Sequence, residues 1–490
     1  MKLRIIVPLA LIAAGCSADV ELTAIPAYPS VTELVAMLEA GETTSEAIVT
    51  ELLSRADANA SLNAFITLDG EAALARAREL DAMRSRGEIA GPLHGIPLVA
   101  KDNIHVAGMP NTAGTPGLDG FVPPEDAPSV AALREAGAIV LGKTNLHELA
   151  FGITSDNAAY GAVGNPFDTS RIAGGSSGGT AAAVSAGMAP IGLGTDTGGS
   201  VRIPAALTGI VGFRPSTERY DSSAVTPISH TRDTVGIIGR NAMDVALLDT
   251  VLGGGALISA ADPAELRLGI ARDYYYSNID QEIAPVVESA LQALADAGVT
   301  LVDVDPENIA ELDAQSSFPI ALYETVEDLG AYLSGYATGL DFDSLASATA
   351  SPDVNGLFAS LSSGEGRIPR EVYEAGLVAR EEMRRVFRDY FETNDLDAMI
   401  FPTTPLAARP IKGSMQTVSL NGEQVPTFPT YIRNTDPASM AALPGISLPV
   451  GLTEQGLPVG MEIDGPEGSD RQLLAIAAAL EQVFRFSARP

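Results

Sequence analysis

From Gly91 onward the chain alternates short apolar runs with alanine-rich segments of helical spacing, and no other feature restricts its fold as much. GIPLVAK (95–101) and IVLGK (139–143) read as strands, and VAALREAGA (130–138) between them reads as a helix. LRLGIAR (266–272), a helix around residues 281–297 and TLVDVD (300–305) repeat the pattern. Runs that are apolar on both sides fit strands buried on both faces, with the helices between them serving as crossovers. The expectation is an α/β fold, one large domain over residues 30–490 with a central mixed sheet covered by helices. Capping boxes at Ser30-Val31-Thr32-Glu33 and Thr43-Thr44-Ser45-Glu46 open a helical layer reaching about residue 88. Residues 306–395 read as a helical lid or side layer. The sheet resumes with LDAMIFPTTP (396–405) and ends near LPVGMEI (457–463), before a last helix from about Arg471. No internal repeat divides the chain.

Composition excludes several functions. The formal charge is −32, from 30 basic and 62 acidic residues, so no basic face is expected to bind nucleic acid or anionic membrane. Of the basic residues only Lys2, Lys101, Lys143 and Lys412 are lysines. Lys101 ends an apolar strand, where burial can lower an amine's pKa toward neutrality, a shift arginine does not make. The four histidines are scattered without HExxH spacing, and the single cysteine, Cys16, forms no intramolecular disulfide or cysteine-rich metal site. At the N-terminus, positive MKLR precedes the short apolar run IIVPLALIAA and then Gly15-Cys16. Residues 1–15 therefore read as a lipoprotein-type signal peptide, Cys16 as the lipidated first residue, and 16–29 as a tether.

AGGSSGGTAAA (173–183) poses the chemical question. It enters a strong helix former, which disfavours a flexible linker. It lacks the Lys-Ser/Thr of a phosphate loop, and the dinucleotide pattern begun by Gly192 and Gly194 meets Thr197 at the third glycine position. What remains is a glycine frame presenting the hydroxyls of Ser176 and Ser177 at a helix start. A few residues on, GTDTGGSVRIPA (194–205) places Gly198-Gly199 in a turn whose N–H groups can converge as an oxyanion hole, with Ser200 next in line as nucleophile. A serine nucleophile needs a base; GxSxG is absent and no histidine is near in sequence, which leaves Lys101 as the candidate.

Lys101, Gly174–Gly179 and Thr195–Ser200 together resemble the amidase signature family, whose Ser–Ser–Lys triad contains a serine in a cis peptide. Ser176 and Ser200 are 24 residues apart, as in that family, and the resemblance runs from about residue 30 to 485. It implies Ser200 as nucleophile, Ser176 as the cis serine relaying protons and Lys101 as base. It further implies oxyanion donors on the N–H groups of Thr197, Gly198, Gly199 and Ser200, with Ser177 supporting the relay. Asp196 and Arg202 are read as an ion pair bracing the turn, with substrate carboxylate binding by Arg202 as the other reading. Lys143 is assigned no chemistry.

HELAFGITSDNAAYGAVGNP (147–166) and ISHTRDTVG (228–236) look closest to the indoleacetamide and mandelamide hydrolases of the family. The implied activity is hydrolysis of a primary amide with an aryl or other apolar acyl group, without metal or organic cofactor. The Ala150–Thr154 loop would line the pocket, with Ala150 at the substrate. Other readings are the ammonia-supplying subunit of a transfer-RNA amidotransferase and a non-catalytic surface lipoprotein. The export-type N-terminus and the acidic chain speak against the first, the full triad against the second. Expected partners are a small amide substrate and, through lipid on Cys16 alone, the periplasmic side of a bacterial membrane; a soluble exported enzyme is the alternative.

Overall fold

A computed structural model describes residues 23–490; the expected signal peptide and Cys16 lie outside the described residues. Eleven strands form one mixed sheet: β1 (Phe65–Leu68), β2 (Pro97–Lys101), β3 (Ile139–Thr144), β4 (Ile191–Asp196), β5 (Val211–Arg214), β6 (Thr234–Gly239), β7 (Arg267–Ile270), β8 (Thr300–Asp303), β9 (Ala398–Pro402), β10 (Gly445–Leu452) and β11 (Pro458–Asp464). Their spatial order is β1-β3-β2-β4-β6-β5-β10-β11-β9-β7-β8. Helices flank the sheet, so the α/β fold with a central mixed sheet is as expected. The last helix runs Asp470–Phe484, and the helix expected near 281–297 runs Ala284–Asp296.

Two local expectations needed adjustment. β1 interrupts the helical layer of residues 30–88 and pairs antiparallel with β3, Phe65 opposite Thr144 and Leu68 opposite Gly142. FITL is half-buried at the sheet edge, so its strand character comes from the pairing rather than from a strong apolar run. The second N-cap is Thr44, one residue after the expected one: its hydroxyl accepts the Ala47 N–H at 3.1 Å. Ser30 caps its helix as read, accepting from Glu33 N–H at 3.1 Å.

The strands that matter for chemistry are central. Every residue of β2 and β4 is buried, which is why their sequences are apolar without alternation. They run parallel, Val99 opposite Gly192 and Ala100 opposite Leu193, so the C-terminal ends of both open on the same edge. Lys101 is the last residue of β2 and Asp196 the last of β4. The carboxyl ends of parallel strands are where ligand crevices form in open α/β sheets.

The side layer consists of helices Ile309–Gly335, Phe342–Ala348, Pro352–Ser363 and Arg370–Asn394. Phe342, Leu345, Val354, Phe358 and Leu361 pack with Leu329 and Leu333 in a core of their own that also takes in Leu149. Each such side chain contributes about 1.5–3 kcal/mol on full burial, enough to fix the layer on the sheet domain. Residues 25–27, within the expected tether of residues 16–29, are held on the body. The Arg55 guanidinium donates to the carbonyls of Ile25 (3.0 Å), Pro26 (2.8 Å) and Ala27 (2.7 Å). No helix among the described residues is long and apolar enough to cross a membrane.

Candidate active site

The sheet edge where β2 and β4 end is roofed by the glycine-rich segment before the helix Gly178–Ser185. Lys101, Ser176 and Ser177 are fully buried there, and Ser200 is 9% exposed. Lys101 Nζ lies 2.7 Å from Ser176 Oγ and 2.7 Å from Thr195 Oγ1. Asn103 Nδ2 donates to the same threonine hydroxyl at 3.1 Å. The Gly175–Ser176 peptide bond is cis, as the family resemblance implied. The Ser177 N–H donates to the carbonyl of Ser200 at 3.1 Å, which joins the two serine segments directly. The Ser177 hydroxyl donates to the Thr195 carbonyl at 3.2 Å and so fixes β4 against the glycine loop.

Two buried lysines on adjacent strands meet different surroundings. Lys143 Nζ pairs with Asp102 Oδ1 at 2.9 Å and also donates to Asn111 Oδ1 at 3.0 Å. Lys101 has no ion-pair partner among the described residues. Burial lowers its pKa to about 7, against the pull of the Asp196 and Asp233 carboxylates. Near neutral pH a large fraction of Lys101 is the free amine.

The Thr197–Ser200 turn is held from beneath by Asp196. Its carboxylate accepts from Gly199 N–H (2.8 Å), Val201 N–H (3.1 Å), Arg202 Nε (3.0 Å) and Nη2 (2.9 Å), and Arg214 Nη1 (3.1 Å). Burial raises the acid's pKa, but the Arg202 and Arg214 guanidiniums outweigh it and hold the carboxyl well below its ordinary range. Arg202 is fully buried and also contacts Glu462 Oε1 at 2.5 Å and the Thr435 carbonyl at 3.0 Å. It is the structural brace, out of reach of a substrate carboxylate. The same geometry corrects the oxyanion donor set: Asp196 engages the Gly199 N–H. Among the described residues the N–H groups of Thr197, Gly198 and Ser200 have no protein acceptor and are the ones left for a ligand. Gly199 keeps a steric role, with φ +139° and a Cβ position 2.2 Å from Thr435 Oγ1.

A cavity of about 330 Å³ opens beside the turn, lined by Thr197, Gly198, Gly199 and Ser200. Its other walls are mostly apolar: Phe151, Ile153, Phe318, Leu322, Leu357 and Phe428 are among them. Ala150, with φ +62°, and residues to Ile153 line it as expected; Thr154 turns to His147 Nδ1 at 3.2 Å instead. Sequence reasoning did not give roles to Arg232, Asp233 and Asp436, which support this site. Arg232 Nε donates to the Thr197 carbonyl at 3.1 Å, and its Nη2 pairs with Asp436. Thr197 Oγ1 donates to Asp233 Oδ1 at 2.6 Å. Arg232 and Asp233 sit in the quoted ISHTRDTVG stretch, so their signal was present without a partner to interpret it. The residues form no metal-ligating set here; His230, Glu324 and Asp328, the cluster of such groups among the described residues, lie outside the cavity wall.

Comparison with known proteins agrees with this geometry. The family model described as Amidase matches residues 47–474. The chain is similar to indoleacetamide hydrolase of Agrobacterium vitis, 43% identical over 445 residues covering 90% of this chain and 94% of that one. It is also similar to mandelamide hydrolase of Pseudomonas putida, 43% identical over 470 residues covering 93% and 91%. The solved peptide amidase of Stenotrophomonas maltophilia superimposes with a TM-score of 0.78 at 30% identity, over 95% of this chain and 98% of that one. The resemblance read from three sequence motifs is borne out: the chain belongs to the amidase family and is an amide hydrolase.

Proposed function

We propose that the protein hydrolyses a primary amide with an aryl or other apolar acyl group, using Ser200 as nucleophile, Ser176 as proton relay and Lys101 as base. The observation that carries this reading is the 2.7 Å contact of an unpaired, buried Lys101 amine with Ser176 Oγ. The neutral amine takes the Ser176 proton as Ser176 takes that of Ser200, and Ser200 Oγ adds to the amide carbonyl. The N–H groups of Thr197, Gly198 and Ser200 stabilise the oxyanion. On collapse the C–N bond breaks, and the proton held on Lys101 returns through Ser176 to the departing amine. Water then repeats the sequence on the acyl-enzyme, releasing the acid and regenerating Ser200. No step calls on a cofactor. The apolar cavity walls and the named activities of the two 43% identical relatives support the acyl preference. The N-terminal pattern supports export and lipidation at Cys16, which would place the enzyme on the periplasmic face of a membrane.

Four measurements check these readings. Ser200→Ala should abolish acyl-enzyme formation, and Ser176→Ala and Lys101→Ala should each lower kcat by ~10²–10⁴-fold with thermal unfolding little changed. A Ser200→Ala enzyme of near-normal turnover would end the mechanism. For pH, the active form is the free amine, so kcat/KM should rise with pH through a midpoint near 7 and level off above it, the midpoint belonging to the coupled site. A flat profile from pH 5 to 9 (roughly two pH units either side of that midpoint), with chemistry limiting, contradicts a lysine base. Phenylacetamide should exceed acetamide in kcat/KM by at least ~10-fold, from the ~25 cal/mol gained per Å² of apolar surface buried. Equal values would remove the acyl preference. Finally, wild type expressed in a bacterium should carry added lipid mass at Cys16 and fractionate with membranes, and Cys16→Ala should do neither; identical mass and solubility of the two would refute the anchor.

A further inference from the structure

One carboxylate on the cavity wall has no part in the reaction above. Asp353 stands in the first turn of the helix Pro352–Ser363 and lines the cavity with Phe151, Leu322 and Leu357. Its side chain is 26% exposed. Oδ2 lies 3.0 Å from His147 Nε2, and Oδ1 accepts the Val354 N–H at 3.0 Å. Asp436, the other carboxylate of the wall, is 3% exposed and taken up by Arg232 and Ser317. Asp353 therefore offers the accessible anionic acceptor on a largely apolar surface.

Its position is fixed from behind. The His147 ring packs on Gly152 so closely that a Cβ there would come 2.2 Å from Nε2. Thr154 Oγ1 holds Nδ1, and the His147 N–H donates to the Ser176 carbonyl at 3.1 Å. The carboxylate is thus tied by two links to the relay serine's own backbone. Burial raises the Asp353 pKa, but the hydrogen bond and electrostatic pull of His147 together with the Val354 N–H outweigh it and hold the acid below its ordinary range. It is an anion at neutral pH.

We infer that Asp353 is a specificity-determining residue, accepting a hydrogen bond from a donor on the distal part of the acyl group and turning away acyl groups that carry an anion there. The inference rests on the cavity being the acyl pocket of the amidase reaction. A partly desolvated anion loses water when the pocket fills, so a ligand that pairs with it gains over one that does not, and a second anion is repelled.

The test uses the full-length protein and four phenylacetamides, unsubstituted or carrying 4-hydroxy, 4-aminomethyl or 4-carboxy groups. Each kcat/KM is divided by that of the unsubstituted amide. Wild type should favour the hydroxy and aminomethyl amides and disfavour the carboxy amide by about tenfold or more. Asp353→Asn should shrink the aminomethyl-to-carboxy ratio by about tenfold while keeping part of the hydroxy preference, because the side-chain amide still accepts. Asp353→Ala should erase both preferences; if it fails to fold, the isosteric Asp353→Asn carries the comparison. Ratios that agree within about twofold across wild type and variants overturn the role of Asp353 alone. Failure of wild type to cleave any of the four overturns the pocket reading beneath it.

Discussion

The site depends on one buried carboxylate with more donors than a carboxylate usually collects. Asp196 ends a central strand, and both of its oxygens point into the turn that follows, each bound by a backbone N–H and by arginine. Without the guanidiniums of Arg202 and Arg214 the burial of that charge would be prohibitive; without the charge, Arg214 would lose its ion-pair partner and Arg202 would keep Glu462 alone. Removing one partner of such an assembly typically costs about 3–5 kcal/mol, because it leaves an uncompensated ion. The turn presenting Ser200 therefore belongs to the interior rather than to a loop. Its N–H groups are held in place by the interior itself, which is what the proposed stabilisation of an oxyanion requires.

The same interior sets the two buried lysines apart in a way that suits only Lys101 to the base of the proposed mechanism. Lys101 and Lys143 lie on neighbouring parallel strands and are equally inaccessible to water. Asp102 meets Lys143 at 2.9 Å and pulls against the lowering that burial imposes on that amine too, while the same amine binds the adjacent loop at Pro110 and Asn111. Lys101 faces two hydroxyls instead. A hydroxyl can accept a hydrogen bond from either form of the amine but compensates the charged form poorly, which is how burial lowers its pKa without removing it from the hydrogen-bond chain.

Much of this was legible in the sequence where chemistry restricts residue type locally. The continuous apolar runs gave central strands, because strands buried on both faces tolerate little else. Lys101 stood out because arginine serves elsewhere, and the paired glycines around Ser176 and before Ser200 had no bland explanation together. What the sequence did not reveal depends on distant pairing. Arg232 and Asp436 meet across 204 residues, and His147 and Asp353 across 206. Neither partner carries a local signal that names the other. The Gly199 N–H was counted as an oxyanion donor because spacing shows which groups are near a turn, not which way each one points. β1 was missed for a related reason: a four-residue edge strand is made by its neighbour β3, not by its own pattern.

The scarcity of lysine has a consequence for covalent chemistry on the protein. Lys101 and Lys143 are sealed inside the sheet edge, while Lys412 is exposed. Among the described residues, then, an amine-directed reagent meets a single side-chain target at the surface of a highly charged, arginine-coated molecule. Among the described residues, acylating dyes, cross-linkers and activated resins would attach at Lys412. Lys101, the base of the proposed mechanism, is shielded from such reagents by the same burial that lowers its pKa.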